Sequence, residues 1–387
     1  MTTPTTTRVR ASQPQWTPII ALSLGIAMVV ASEFLPASVL PTLAADIGVS
    51  EGTAGLAAAA TAIAGALTAP TIAMIVPRAD RRRVLIGLLV LAALSNLIVA
   101  AAPDLVVLLA GRLLLGAALA GYWAFAFGAG VSAVPGRANI VSAGIASGVS
   151  LATVIGVPVS SVVGDQLGWR TAFVGAASLT GLSAVVVARA LPPVSAHPAA
   201  GYRMMRQAVA NKRLMAGIAG VAGVAFGNFT AYPYIRVAIE RIDPSATTWL
   251  LLTWGIGGVV GTVSAGVLAR WLRPLTAVTP VVLALGLLGT AVASSLTTLT
   301  IAVVLWGVAM NIIPVATQLW VTRVEAERAE SAMGLQVTAF QVAITLGSAL
   351  GGALLDGFGV RVPLVVGAAA AAAAGLLWAL LRIPDER

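Results

Sequence analysis

Cysteine is absent from this chain, which excludes disulfides and thiolate-held metals. Histidine occurs once, at His197, and lysine once, at Lys212, so no imidazole cluster is available for metal or general-base chemistry. A glycine-rich phosphate loop is missing too. No cofactor is expected, and the chain does not read as an enzyme. Charge is the scarcest property: 10% of residues are Asp, Glu, Lys or Arg, against roughly 25% in soluble domains. That deficit excludes a water-soluble globule. What is present instead is apolar: 59% of 387 residues are hydrophobic and the mean hydropathy is +0.97. A net charge of +9 would suit nucleic acid if the basic residues shared one soluble surface. Here they lie between apolar runs, so a lipid bilayer is the expected partner and nucleic acid is not.

A membrane-spanning helix needs about 20 mainly apolar residues, and twelve runs qualify. In the first half they fall near 17–41, 52–76, 84–102, 105–131, 138–163 and 171–191. In the second they fall near 214–238, 246–269, 275–295, 298–321, 332–355 and 361–382. The fold class is therefore an all-α polytopic membrane protein.

Small residues carry the internal organisation. Gly144, Gly148, Ala152, Gly156, Ser160 and Gly164 recur at every fourth position, which on a helix makes one face without bulk. In lipid, where burying apolar surface gains nothing, such faces are how helices pack. A shift of 191 places Gly156, Asp165, Gly168 and Arg170 on Gly347, Asp356, Gly359 and Arg361. The chain reads as two related six-helix halves.

Basic residues collect in cytoplasmic loops. With the N-terminus inside, eighteen of the 23 basic residues are cytoplasmic, and only Arg170, Arg236, Arg241 and Arg361 face out. The remaining one, Arg112, lies inside a helix. Both termini are expected in the cytoplasm, and the low Lys-to-Arg ratio with abundant alanine points to a bacterial inner membrane. The division expected is a tail at 1–16, a first bundle at 17–191, a linker at 192–213, a second bundle at 214–382 and a tail at 383–387. His197 in the linker reads as incidental.

Two six-helix bundles joined by a basic loop resemble the major facilitator architecture, which binds solute near the midplane between halves. Asp80, Arg81, Arg82 and Arg83 resemble its loop between helices 2 and 3. Gly111, Arg112 and Gly116 resemble its helix-4 motif, and Gly156, Pro158 and Gly164 its helix-5 antiporter motif. Together they resemble the twelve-helix drug:proton antiporter branch. The runs 32–36, 46–52, 79–82 and 121–124 are similar to bacterial purine ribonucleoside efflux pumps. The chain departs from the branch at Pro77, where an aspartate is usual, and at Ser160-Ser161, which replace a glycine pair. The resemblance implies alternating access, outward transport, and gating roles for Asp80, Arg81, Arg82, Gly156 and Pro158. For the arginines, plain anchoring at the membrane face is the competing reading.

Glu33 is the outstanding residue, because a carboxylate within a lipid-spanning helix is costly and rarely kept without a task. It lies eight residues before Pro41 and Arg112 eight after Asp104, which puts both ~12 Å below the same surface. The expectation is that Glu33 takes up and releases the coupling proton and Arg112 stabilises its ionised form. A static ion pair locking helix 1 to helix 4 is the alternative. The second half offers Asn228 at the equivalent place under a shift of 195. Asn228, Tyr232, Asn311, Gln318 and Gln341, with Tyr122, Trp123 and Phe125, are the expected lining of a solute cavity. Interhelical hydrogen bonding, worth ~0.6 kcal/mol per contact, explains any one of them equally well.

The expected function is proton-coupled export of purine nucleosides or related small neutral compounds by a monomer. Efflux of sugars or mixed drugs is the nearest alternative. A channel fits less well with duplicated halves and one buried carboxylate.

Overall fold

The computed structural model describes residues 16–76, 78–195, 207–325 and 329–381. Pro77, His197 and Glu327 lie outside the described residues. Twelve helices are long and apolar enough to cross a membrane: α1 Thr17–Ser38, α2 Glu51–Ile72, α3 Arg81–Ala100, α4 Leu105–Ala133, α5 Ile140–Leu167, α6 Trp169–Ala190, α7 Lys212–Glu240, α8 Pro244–Leu268, α9 Leu272–Val292, α10 Leu296–Val321, α11 Ala332–Phe358 and α12 Arg361–Leu380.

The halves pack alike. In the first, α2 meets α4, α3 meets α4 and α6, and α1 meets α5 and α6; in the second, α8 meets α10, α9 meets α10 and α12, and α7 meets α11 and α12. Adding six to each helix of the first set yields the second. Between the halves, α2 packs on α11 and α5 on α8. The small-residue stripe explains one contact in each half: Gly144 and Gly156 of α5 face Ile19 and Ala31 of α1, Gly164 faces Val39 just beyond the end of α1, and Gly347 of α11 faces Phe226 of α7. Ala31 and Phe226 are themselves equivalent under the 195 shift. The helices on either side of Gly168 and Gly359 turn through φ of +86° and +81°, a conformation glycine adopts without a Cβ penalty.

Boundaries moved where local chemistry dictates. The first apolar run does not continue to 41; α1 ends at Ser38, and a separate short helix spans Leu40–Ile47. Helix α3 begins at Arg81 rather than 84, because the Asp80 side chain accepts a hydrogen bond from the Arg82 amide. That cap also offsets three arginines in a first turn whose own dipole disfavours cations. In α5 a π-helical turn covers Ala152–Gly156, immediately before Pro158. Proline cannot donate to the carbonyl four residues back, and a π-turn absorbs such a break, as it does at many functional sites.

Candidate functional site

Helix α1 carries Pro36 four residues after Ser32. Its ring leaves the Ser32 carbonyl without a helical donor, and in apolar surroundings such a carbonyl needs another. Arg112 supplies it. From α4 its Nη1 donates to Ser32 O at 2.7 Å, Nη2 to Glu33 O at 2.9 Å, and Nε to Ala57 O of α2 at 3.3 Å. The guanidinium is fully buried. The static ion pair is therefore corrected: Arg112 locks α1, α2 and α4 through backbone carbonyls, and no ion pair between Arg112 and Glu33 occurs among the described residues.

The Glu33 side chain instead borders a recess shared by the two halves. Phe34, Pro36, Ala37, Leu40, Gly55, Ala57 and Ala58 line it from the first half, and Phe229, Tyr232, Pro233 and Ile344 from the second. Its volume is about 20 Å³, room for one water molecule and not for a solute.

Beside the recess stands an aromatic cluster. Helix α7 is interrupted by a 3-10 turn over Tyr232–Tyr234, with Pro233 inside it. Interrupted helices mark binding sites in membrane carriers. Tyr232 is the hub: its ring lies 5.1 Å from Phe34, 4.8 Å from Trp254, 6.0 Å from Phe229 and 6.3 Å from Trp306, centroid to centroid. Its hydroxyl is buried and has no hydrogen-bond partner, and the same holds for Trp254 Nε1. Trp306 Nε1 donates to Asn228 Oδ1 at 2.7 Å. The sequence reading missed Trp254 and Trp306, since two tryptophans in apolar runs carry no spacing signal of their own.

The expected cavity residues separate into groups. Asn228 and Tyr232 meet in this cluster. Gln341 is buried on α11 against Gly65 of α2, at the seam between halves. Asn311 bonds the Gly307 carbonyl of its own helix and abuts Gly258 of α8. Trp123 is 41% exposed and lies eleven residues, about three turns, beyond Arg112 on one face of α4; Gln318 is exposed as well. Tyr122 and Phe125 are buried within the first half. Tyr122 is wedged against Gly25 of α1, with its hydroxyl donating to the Leu22 carbonyl. Phe125 lies under the Arg81 guanidinium, 4.3 Å from its ring centroid. Both serve packing inside the first half.

Two clasps join the halves at one end of the molecule. Arg236 of α7 is buried and donates to Ser38 O of α1 at 2.7 Å, to Asp165 Oδ1 of α5 at 2.6 Å and to Glu240 Oε1 at 2.6 Å. Asp356 of α11 accepts from Ser50 Oγ at 2.5 Å and from the Gly52 amide at 3.0 Å. Gly52 and Gly352 are so close there that a Cβ on Gly52 would stand 2.2 Å from the Gly352 carbonyl oxygen. Asp165 and Asp356 are equivalent under the 191 shift, and each reaches into the opposite half. Arg236 was legible only as a charge near the end of an apolar run.

At the other end, the following bonds among the described residues each lie within a half. Asp80 accepts from the Val194 amide at 3.0 Å, Arg81 donates to Val76 O at 2.8 Å, and Arg82 donates to Ala188 O of α6. In the second half, Asn211 Nδ2 donates to Glu325 Oε2 at 2.6 Å. Asp80, Arg81 and Arg82 thus fasten α3, α6 and the start of the linker together. Gly156 rests on Ala31 of α1, and with Pro158 it bounds the π-turn that faces α8.

The Major Facilitator Superfamily model matches residues 22–276 and 214–387. Purine ribonucleoside efflux pumps NepI of Salmonella typhimurium and Salmonella typhi are 35% identical over 361 residues, 92% of this chain and 91% of theirs. A bacterial homologue of the human lysosomal transporter Spinster, in an inward-facing and unoccupied conformation, superposes with a TM-score of 0.77 at 16% identity over 96% of this chain and 98% of that one. The human organic anion transporter MFSD10 superposes with a TM-score of 0.70 at 16% identity over 95% of this chain and 100% of that one. Family model, relatives and fold agree, and the chain belongs to the Major Facilitator Superfamily.

Proposed function

We propose that this membrane transporter exports purine nucleosides or related small neutral compounds in exchange for protons. The observation that carries the reading is Glu33: a carboxylate in a spanning helix that forms no ion pair among the described residues, beside a water-sized recess where the halves meet. An acid left without an ion-pair partner in such a place is free to gain and lose a proton as water reaches it. The substrate class rests on the relatives named as purine ribonucleoside efflux pumps and on the aromatic cluster around Tyr232, whose rings suit a flat base.

The arginine-rich loops support a cytoplasmic Asp80 end in a bacterial inner membrane, with both termini on that side. In that orientation the Arg236 and Asp356 clasps hold the outer end together. Alternating access follows from parting these clasps while the Asp80 end closes.

The test is transport of labelled inosine in proteoliposomes under an imposed pH gradient. Wild-type protein drives inosine against its gradient as protons flow the other way, whereas Glu33→Gln gives downhill exchange insensitive to pH. Equal pH dependence in both proteins removes Glu33 from the coupling. An accumulation of sugars or dyes with inosine ignored favours the broader efflux reading.

A further inference from the structure

Tyr232 and Glu33 line one recess from opposite halves, and the buried Tyr232 hydroxyl has no hydrogen-bond partner among the described residues. Leaving a buried donor unpaired is costly, and a recess of about 20 Å³ accommodates the one water that satisfies both groups. We propose that the proton site is split between the halves, with a single water bridging the Glu33 carboxylate and the Tyr232 hydroxyl, so that Tyr232 is the positioning residue for protonation of Glu33. The inference rests on the reading of Glu33 as the coupling acid.

The charged and titratable groups facing Glu33 are few. Helix α4 brings Arg112, three of whose five N–H donors go to carbonyls and whose charge favours the ionised acid. Helix α7 brings Tyr232. From α2 come Gly55, Ala57 and Ala58, and from α11 Ile344, none of which titrates. The hydroxyl donates through the water to the ionised carboxylate, a bond that is stronger to the charged form than to the neutral acid. While the halves are clasped above the recess, the pair is assembled and the ionised acid is supported. Parting the clasps moves α7 away from α1, removes the bridge and lets the acid take up a proton at the newly opened face. Proton uptake is thereby tied to outward opening by geometry.

The experiment reads the acid directly, without relying on any solute: infrared difference spectra of the carboxyl C=O band against pH, on full-length protein in lipid nanodiscs. Among the bands of the chain's 14 Asp and Glu carboxyls, the wild type shows one titrating band that Glu33→Gln abolishes. Tyr232→Phe keeps the ring and moves the midpoint up by about one pH unit, the equivalent of one hydrogen bond lost from the ionised form. Ala58→Val fills the recess, displaces the water and gives the same upward shift with Tyr232 intact. A band lost in Glu33→Gln yet unmoved or lowered in both other variants overturns the bridge and leaves Glu33 as the acid. Spectra from which Glu33→Gln removes no titrating band overturn both readings.

Discussion

The two halves solve one packing problem with opposite chemistry. In the first, Arg112 on α4 reaches the α1 backbone at Ser32 and Glu33. In the second, Trp306 on α10 reaches Asn228 on α7, and Asn228 is the residue equivalent to Glu33. Both contacts tie the first helix of a half to the fourth at the same depth. One is cationic and lies next to a titratable group; the other is neutral. The related halves share the junction and divide the labour: the carboxylate of the proposed proton site comes from the first half, and the aromatic cluster is supplied chiefly by the second.

That contrast is open to direct attack, and the largest effect is expected in the first half. Arg112→Leu leaves the Ser32 carbonyl orphaned in apolar surroundings and removes the bolt between three helices. A loss of about 3 kcal/mol is expected, seen as a large fall in unfolding temperature in detergent, and Arg112→Lys restores only part of it because an ammonium lacks the planar fork. In the second half, Trp306→Phe keeps the ring but leaves the Asn228 carbonyl unpaired, at a cost of about 2 kcal/mol. Should the two substitutions prove equally harmful to coupling, the division of labour between halves is wrong.

Arg236→Gln sharpens the comparison by testing what joins the halves rather than what lies within them. It cuts charge-assisted bonds to Asp165 and Glu240 and biases the molecule toward outward opening by about 1.4 kcal/mol, a tenfold change. The chain has no cysteine of its own, so Ala37→Cys, at the recess, reports opening cleanly: labelling by a membrane-impermeant thiol reagent added outside rises about tenfold. The smallest effect is expected at Asp80→Ala, which removes the α3 cap and the tie to Val194 and costs about 1 kcal/mol without changing the pH dependence of transport.

Sequence pattern and three-dimensional contact contributed unequally. Spans longer than a bilayer is thick announce themselves in composition, and the fourfold glycine spacing of α5 anticipated a close helix contact without naming α1 as the partner. Glu33 was legible because a carboxylate in an apolar run is conspicuous. Arg112 was legible for the same reason, yet its partner was misassigned: equal depth suggested an ion pair, while Pro36 had already freed a carbonyl that competes for the same donors. The aromatic hub and the clasps were beyond reach, since Phe34, Tyr232, Trp254 and Trp306 come from four helices, and Arg236 meets Asp165 across 71 residues.

Taken alone, the order of residues determined a membrane protein of twelve helices in two related halves, with one acid and one arginine buried at matching depth, because insertion into lipid is decided segment by segment from hydropathy and charge. Which donor meets which acceptor was decided only by tertiary packing. Helices in lipid choose neighbours through shape and hydrogen bonds that are local in space and distant along the chain, and those choices set Arg112 on carbonyls, left Glu33 beside a water-sized recess, and clasped the halves together through Arg236 and Asp356.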